Sequence, residues 1–379
     1  MGPTVALLAD YWRPGWRAGG PITSLGLLVD RSEIPVSVFT RDHDLGSPAP
    51  YPGVRTNGWT SVGRDGFAVA YLRGLAGVRW AFRHLRAMRP SIVHINSVHS
   101  PVFGIAPLLA TRLGLFGSPI VVISPHGELT EASQEHKRWK KRLARPVLRR
   151  IIRKDASWHA SSTFEAADIE RWLNRAAHII VAPDAPPTPH AGGPTPLEES
   201  TNQPTVLFAS RIHPIKGLDS AIEVVGQVAT PCRFVIAGPI EDESYWARCQ
   251  GLLKKLPSHV TVDVRGPFEP SDMPSLVTSA RILILPTKGE NFGQVIAEAL
   301  SQGCPVALPP VTPWLDYAGS DIGCVSDDER EVATYLETAL SEPVEAHKER
   351  RRRAYEAYSS WFSGVGDVDV YSLVLAEMS

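Results

Sequence analysis

The sequence predicts an α/β protein built from two Rossmann-like, doubly wound domains, and three observations support this. The chain has 379 residues, more than one hydrophobic core usually accommodates. In both halves short apolar runs alternate with longer amphipathic segments, and this βαβ rhythm is typical of parallel sheets with helices on both faces. Between the halves, Pro183 to Pro204 holds seven prolines in 22 residues, a composition that indicates a linker.

Each element is predicted from apolar periodicity and from the turn residues that bound it. In the first half we predict strands at Thr4–Ala9, Pro35–Thr40, Ser91–Ile95, Ile120–Ser124, Ser157–Ala160 and His178–Val181, and helices near Pro21–Asp30, Ala68–Met88, Phe103–Leu113, Trp139–Arg153 and Phe164–Leu173. In the second half we predict strands, separated by helices, at Thr205–Ala209, Arg233–Ala237, Val260–Val264, Arg281–Leu285 and Pro305–Leu308.

These elements predict a first domain at residues 1–185, a Pro-rich linker at 186–204 and a second domain at 205–359. In open α/β sheets ligands bind at the carboxyl ends of the strands. We therefore expect the two domains to face each other across a cleft that binds the ligand.

Composition excludes several classes of function. A net charge of −1 argues against a general nucleic-acid binder, which would carry a basic excess. The four cysteines have no CxxC spacing, so neither a disulfide framework nor a zinc site is predicted. No continuous apolar run approaches the roughly 18 residues that a membrane span needs, and the first apolar run is too short for a signal peptide. We expect a cytoplasmic enzyme.

The segment from Glu290 to Glu298 carries the most specific signal. It places two carboxylates eight positions apart where a buried strand turns into a helix. Eight helical residues rise about 12 Å and rotate by about 80°, whereas the paired carboxyls of glycoside hydrolases lie about 5–9.5 Å apart. The spacing therefore favours two carboxylates that contact different parts of one extended, hydroxyl-rich ligand. The alternative is a pair of ordinary helix glutamates.

Two further loops are predicted to contact an anion. Arg211 and Lys216 follow the first strand of the second half and place two cations at its carboxyl end, where a leaving diphosphate would need stabilisation. Gly19, Gly20 and Pro21 follow the first strand of the chain and lead into a helix, so backbone N–H groups could approach a phosphate there. The alternatives are solvated surface charges and a plain turn.

Together these motifs resemble the retaining glycosyltransferases of family 4, which adopt the GT-B fold. The resemblance rests on Ser210–Gly217, Gly266–Phe268 and Glu290–Glu298, and on the loops at Gly19-Gly20 and Ser124–Glu128. It covers most of the chain, and the Glu-x7-Glu motif with the upstream Arg and Lys is fairly specific.

The resemblance implies a role for each matching residue. Arg211 and Lys216 would bind the donor diphosphate, Glu290 the hydroxyls of the donor sugar, and Glu298 the ribose hydroxyls. The donor would be a nucleotide sugar, with no further cofactor.

Five more residues receive implied roles. The backbone amides of Asn291, Phe292 and Gly293 would cap the phosphates or the sugar. His126 would lie at the edge of the first domain, near the donor sugar and the acceptor, and Phe268 would line the base pocket.

The resemblance also implies front-face substitution without a metal, in which Arg211 and Lys216 do what Mg²⁺ does elsewhere. Two Asp-x-Asp triplets, Asp42-His43-Asp44 and Asp367-Val368-Asp369, are the only apparent argument for a metal site. Neither adjoins the phosphate motifs, so no metal is predicted.

The segment from Lys137 to Lys154 has ten Lys or Arg and no acidic residue. Trp139, Leu143, Val147 and Ile151 repeat every four residues and form an apolar stripe on this basic helix. Such a helix is typical of a membrane-surface contact, which suits a glycan or lipid-diphosphate-linked acceptor and a peripheral location. A core-packed helix with a solvated basic face is the open alternative.

Two features concern the passage between the domains. Pro183-Asp184-Ala185 stands where many relatives have an Asn-Gly turn. In such proteins the last helix, here within residues 360–379, returns to the first domain.

The sequence thus predicts a metal-independent retaining glycosyltransferase of bacterial cell-surface polysaccharide synthesis. The alternatives are a GT-B nucleotide-sugar epimerase and a non-catalytic nucleotide-sugar-binding protein. The donor base and sugar, the acceptor, the linkage and the oligomeric state do not follow from the sequence.

Overall fold

The computed structural model describes residues 2–61, 67–130, 138–197, 203–315, 322–366 and 368–378. The chain divides into two compact units. The first comprises Met1–Ala185 with Asp367–Ser379, and the second comprises Pro186–Gly366.

The first unit is built on an eight-stranded sheet. Its strands are β1 (Val5–Leu8), β2 (Val36–Arg41), β3 (Gly58–Ser61), β4 (Ala68–Leu72), β5 (Ile92–Ile95), β6 (Ile120–Ile123), β7 (Ser157–Ala160) and β8 (His178–Val181). They lie in the order β3-β4-β2-β1-β5-β6-β7-β8, and all neighbours are parallel except β3 and β4.

Helices cover both faces of this sheet. They are α1 (Gly20–Arg31), α2 (Gly74–Met88), α3 (Ala106–Arg112), α4 (Arg138–Ile151), α5 (Thr163–Leu173) and, from the end of the chain, α12 (Val370–Met378). Residues of β1 alternate between two buried clusters, with Val5 and Leu7 in one and Ala6 and Leu8 in the other. Strands buried on both faces explain the continuous apolar runs of the sequence.

The predicted helix Ala68–Met88 is wrong at its start. Ala68–Leu72 forms strand β4, which pairs with β2 and with the unpredicted strand β3. Arg73 is extended, and the helix begins at Gly74. Pairing with a buried strand outweighs the intrinsic helix preference of the alanines.

The second unit is built on a six-stranded parallel sheet. Its strands are β9 (Thr205–Ala209), β10 (Cys232–Ala237), β11 (Val260–Gly266), β12 (Ile282–Ile284), β13 (Val306–Leu308) and the unpredicted β14 (Gly323–Val325). Its helices are α6 (Leu218–Val225), α7 (Glu243–Leu253), α8 (Met273–Thr278), α9 (Gln294–Ser301), α10 (Glu329–Ser341) and α11 (Val344–Val365).

Each sheet has a topological switch point. The order in the second unit is β11-β10-β9-β12-β13-β14, so the chain first winds outward on one side of β9 and then on the other, beginning with β12. In the first unit the same reversal falls between β1 and β5. Ligands of open α/β sheets bind at such points, beyond the carboxyl ends of the two strands.

No helix among the described residues is long and apolar enough to cross a bilayer. The first residues of the predicted linker pack on the second unit. Tyr358 donates a hydrogen bond to the carbonyl of Pro187 at 2.6 Å, and His190 N donates to Ser301 O at 3.0 Å.

At the switch point of the second unit, Gly217 allows two loops to touch. Its φ is +71°, and a Cβ atom there would lie 2.1 Å from the carbonyl oxygen of Pro286, which follows β12. Only glycine fits both the left-handed backbone and this approach.

We expect Gly217→Ala to lower the free energy of unfolding by at least about 2 kcal/mol, because left-handed backbone alone costs about 1–2 kcal/mol and the backbone clash adds to it. Calorimetric unfolding measures the change. Gly251→Ala, on α7 with no atom within 4 Å of the new Cβ, is the matched control and should gain up to about 1 kcal/mol. Equal unfolding temperatures for the two variants would contradict the close approach.

Candidate functional site

The loops after β9 and β12 form one structure at the switch point of the second unit. Lys288 N donates to Ile215 O at 2.8 Å, and Thr287 Oγ1 donates to the same carbonyl at 3.0 Å. These bonds fix the short turn Pro214–Lys216 against the segment that leads to Glu290.

An ion pair joins these two loops. Lys216 Nζ lies 2.6 Å from Glu290 Oε2. The side chains are only 12% and 13% exposed, so the attraction between them is screened less than that of a surface pair. Two predicted site residues that are 74 positions apart in the sequence therefore meet.

Arg211 has a different partner. Its Nη1 lies 2.6 Å from Glu241 Oε2, and both side chains are more than 40% exposed. The sequence contains no local signal for this pairing, because Glu241 lies 30 positions away. Arg211 follows β9, as Lys216 does, but its ion-pair partner Glu241 lies in the loop after β10.

An aromatic cluster supports the loop that carries Glu290. Phe292 is buried, and its carbonyl accepts a hydrogen bond from the indole N–H of Trp314. Trp361 of α11 stacks on Phe292 with centroids 6.3 Å apart. Gly293 has a φ of +81°, and a Cβ there would lie 2.8 Å from Ile296. The aromatic cluster therefore supports this loop, and α9 begins directly after it.

Glu298 lies on α9, and Asn291, Phe292 and Gly293 lie directly before this helix. Burial raises the pKa of Glu298 to about 8. No group in the described part of the chain donates a hydrogen bond to its carboxyl. Phe268, beyond the end of β11, is partly buried against the core of the same unit.

The glycine-rich loop of the first unit is held by a carboxylate. Asp44 Oδ2 accepts hydrogen bonds from the amides of Trp16 at 3.0 Å and Arg17 at 3.2 Å. The loop ends at Gly19, and no side chain caps the first turn of α1, which begins at Gly20. Uncapped N–H groups of a helix start can bind an anion.

In the triplet Asp42-His43-Asp44, the hydrogen bonds of Asp42 stabilise the fold. Asp42 is fully buried. Its oxygens accept hydrogen bonds from Arg73 at 2.7 Å and Thr56 at 3.0 Å, and lie 2.9 Å from His43. Among the residues that the structure describes, no group of three His, Cys, Asp or Glu could hold a metal ion.

His126 follows β6 in a loop that carboxylates hold in place. Its Nδ1 lies 3.2 Å from Asp184 Oδ2, and both side chains are less than a tenth exposed. Burial opposes the charged imidazole, yet Asp184, with Glu165 and Glu128, raises the pKa of His126 to about 9. Its Nε2 is buried and has no hydrogen-bond partner among the described groups.

Sequence reasoning missed a chain of buried polar side chains in the first unit. His94 lies in β5 and His159 in β7, and Ser124 lies between them with hydrogen bonds of 2.8 and 3.0 Å. Tyr371 of α12 bonds His94 at 2.9 Å. The available signal was a histidine inside each of two apolar strands, because a buried polar group in such a place requires a partner.

The basic segment is described only in part. Lys137 and the side chains of residues 138–143, with Trp139 and Leu143 of the predicted stripe, lie outside the described residues. Further along α4, Val147 is 60% exposed whereas Leu148 is buried. Ile151 packs partly against the core, so the two described members of the stripe, Val147 and Ile151, differ in burial.

Two cations of α4 cap a neighbouring helix. Arg145 and Arg149 donate to the carbonyl of Trp172, near the end of α5, at 2.9 and 2.7 Å. Their guanidinium groups also lie 5.9 Å from the Trp172 ring. Part of the basic charge is therefore structural.

Family models match both halves of the chain. Residues 22–185 match the glycosyl transferase 4-like domain, and residues 194–360 match glycosyl transferases group 1. A comparison with curated protein sequences finds no match.

Solved structures resemble the chain over almost its whole length. Sucrose-phosphate synthase from Thermosynechococcus elongatus has a TM-score of 0.74 at 16% identity, covering 99% of this chain and 100% of that one. Anabaena Alr3699/HepE in complex with UDP-glucose has a TM-score of 0.69 at 14% identity, covering 99% of each chain. WaaG, a glycosyltransferase involved in lipopolysaccharide biosynthesis, has a TM-score of 0.62 at 15% identity, covering 98% of each. At such identities the likeness shows the fold.

We expect Lys216→Met to lower the free energy of unfolding by about 1–3 kcal/mol, because it leaves the largely buried Glu290 carboxylate without its partner. Arg211→Met is the matched control. It breaks an exposed pair and should cost less than about 1 kcal/mol. Calorimetry on both variants measures the difference, and a larger loss for Arg211→Met would overturn this ranking.

Proposed function

Because the chain belongs to the GT-B glycosyltransferases of the family-4 type, we propose that it is a metal-independent, retaining enzyme that transfers a sugar from a nucleotide-sugar donor to a glycan acceptor. The observation that carries the proposal is the shielded Lys216–Glu290 pair at the switch point of the group 1 domain. There a cation and a hydroxyl-binding carboxylate lie side by side, as a sugar diphosphate requires.

The donor is proposed to be a nucleoside diphosphate sugar. One solved protein of the same fold, Anabaena Alr3699/HepE, has been solved in complex with UDP and in complex with UDP-glucose. An ammonium group has three N–H donors, so Lys216 can hold Glu290 with one and phosphate oxygens with the others. Arg211 has five donors, and its exposed pair with Glu241 leaves it able to turn toward the second phosphate.

The remaining contacts with the donor are proposed for the loop before α9, for α9 itself and for Phe268. Glu290 accepts hydrogen bonds from sugar hydroxyls, and Glu298 from the ribose hydroxyls. The amides of Asn291, Phe292 and Gly293 contact phosphate or sugar oxygens at the start of α9, where the helix dipole favours an anion. Phe268 contacts the base.

The first unit, residues 1–185, is proposed to bind the acceptor and to contact the donor through Gly19, Gly20 and His126. The buried Nε2 of His126 is a polar group without a partner among the described groups, and a sugar or phosphate oxygen would satisfy it. The leaving phosphate accepts the proton of the acceptor hydroxyl on the same face, which retains the anomeric configuration without a strong protein base.

A cell-surface polysaccharide acceptor carried on a lipid diphosphate is proposed from the basic segment. Arg150 and Lys154 are exposed near Val147. Helix α3 packs beside α4 and is followed by the exposed Leu113 and Leu115. Exposed cations beside exposed aliphatic side chains suit an anionic lipid surface.

Glu290→Gln and Lys216→Ala test turnover. We expect each to reduce acceptor-dependent nucleotide release by at least about a hundredfold, since removal of one group that stabilises developing charge typically costs that much. The assay uses a panel of nucleotide sugars with a lipid-linked acceptor. Unchanged nucleotide release in both variants would contradict the transferase assignment. Release that needs no acceptor, or an epimerised sugar, would favour the epimerase instead.

Donor affinity should depend on pH through Glu298. Its pKa of about 8 makes the carboxyl neutral at lower pH, whereas two ribose hydroxyls that both donate require the carboxylate. The dissociation constant of the donor should therefore fall by up to about tenfold per unit as pH rises from 6 to 8, with release of a proton. Calorimetric titration in two buffers measures both effects. Glu298→Gln should abolish the pH dependence, and a slope that persists in this variant would refute the assignment.

Membrane contact predicts binding to anionic vesicles that weakens with salt, because exposed charges are screened. Flotation with phosphatidylglycerol vesicles measures it, and the double variant Arg150→Gln with Lys154→Gln should reduce the bound fraction. Arg153→Gln, which breaks an ion pair with Asp155, is the control. No flotation of the unaltered protein at low salt would remove the membrane proposal.

A further inference from the structure

Asp184, near the end of the first unit, contacts a proposed site residue. Its Oδ2 lies 3.2 Å from Nδ1 of His126. An asparagine there would offer His126 a neutral amide, whereas Asp184 offers a charge. Both side chains are less than a tenth exposed, so little water screens them.

The backbone around His126 leaves the imidazole little freedom. His126 has a φ of +43°, which is uncommon for a residue with a side chain. Glu165 Oε1 accepts from Gly127 N at 2.9 Å, and Glu128 accepts from Val98 N at 2.8 Å. The loop is thus fastened on both sides of the ring.

Asp184 is positioned by the buried polar chain across β5 to β8. The chain runs from Tyr371 through His94, Ser124 and His159 and ends where His159 Nε2 lies 2.9 Å from the carbonyl of Ala182. Ala182 is two residues before Asp184. The chain therefore connects helix α12 to the segment that carries the carboxylate.

Because burial keeps both histidines neutral, the hydrogens in this chain can point in one direction only. The Ala182 carbonyl accepts, so His159 donates from Nε2 and accepts at Nδ1 from the Ser124 hydroxyl. Ser124 then accepts from His94 Nε2, and His94 Nδ1 accepts from Tyr371. Both histidines are neutral in this arrangement, and burial lowers the pKa of His94 and of His159.

His126 stands apart from these two rings. The carboxylates of Asp184, Glu165 and Glu128 favour its charged form, whereas the rings of His94 and His159 would oppose it if they were protonated. The His159 ring lies 6.5 Å from it. With both of those neutral, the local field favours a cation at His126. Burial opposes the ionised form of Asp184, but the charge and the hydrogen bond of His126 outweigh it and lower the pKa of Asp184.

We propose that Asp184 is a positioning residue, a counter-ion fixed by the buried chain from Tyr371, which keeps His126 as an imidazolium whose Nε2–H donates a hydrogen bond to the substrate. His126 is then a permanent donor and not a base. The role toward substrate rests on the proposed function, whereas the charge state and its dependence on Asp184 do not.

The test is an NMR titration of protein labelled with ¹⁵N-histidine between pH 5 and 10. His126→Gln identifies the His126 signals among those of the twelve histidines. In the unaltered protein both ring nitrogens of His126 should stay protonated at pH 7, with a midpoint near the pKa of about 9. In Asp184→Asn the midpoint should fall below about 6.5, the ordinary value for histidine.

A neutral His126 at pH 7 in the unaltered protein overturns the proposal, and so does an unshifted midpoint in Asp184→Asn. The first result needs no variant, so a failure of Asp184→Asn to fold leaves the proposal testable. In active protein, the alkaline loss of kcat in Asp184→Asn should move to lower pH by more than about two units, from the pKa near 9 to below the ordinary value. A merely structural role would lower kcat at every pH.

Tyr371→Phe tests the polar chain. Without the donated hydrogen, the tautomer of His94 should change and the His126 midpoint should move. Glu377→Gln is the control on the same helix, because it removes the exposed pair of Glu377 with His178 but lies outside the buried polar chain. It should change neither the tautomer of His94 nor the midpoint of His126. Signals of Tyr371→Phe identical to those of the control would refute the role of the chain. These readouts need no donor or acceptor, so they fail or succeed independently of the transferase assay.

Discussion

Lys216 and Glu290 bring opposite charges from the ends of two adjacent strands to 2.6 Å in a place largely shielded from water. The contact depends on backbone that must pass very close, because Gly217 leaves no room for a Cβ beside Pro286. A larger residue there would separate the loops after β9 and β12. The pair therefore holds the two loops together and places a cation beside a carboxylate, where we propose that the sugar diphosphate binds.

Acidic side chains organise the first unit in a comparable way. Asp44, Glu128 and Glu165 each accept hydrogen bonds from backbone amides of loops at the carboxyl edge of the sheet. Such bonds to an ionised acceptor are stronger than neutral ones. These bonds restrict the conformations of the loops, and a preorganised loop orders little further when substrate binds. Asp184 differs, because it meets a side chain that itself carries charge.

Much of the architecture could be predicted because parallel strands buried on both faces must be apolar runs. β5 and β9 illustrate this, and both were predicted. β4 could not be, since Ala-Val-Ala-Tyr-Leu is compatible with a helix until β2 and β3 pair with it. The basic segment shows the same limit, because its period of four predicted one stripe, whereas of the two described members Val147 is exposed and Ile151 packs partly against the core.

The sequence by itself determined the family, the two α/β units and the place of the Glu290–Glu298 motif between a strand and a helix, because short motifs and apolar periods are local properties. Only the tertiary structure decided which charges meet. Lys216 pairs with Glu290 across 74 positions, Arg211 with Glu241 across 30, and His126 with Asp184 across 58. A pairing of this kind depends on strand order and burial, and neither can be obtained from the spacing of residues along the chain.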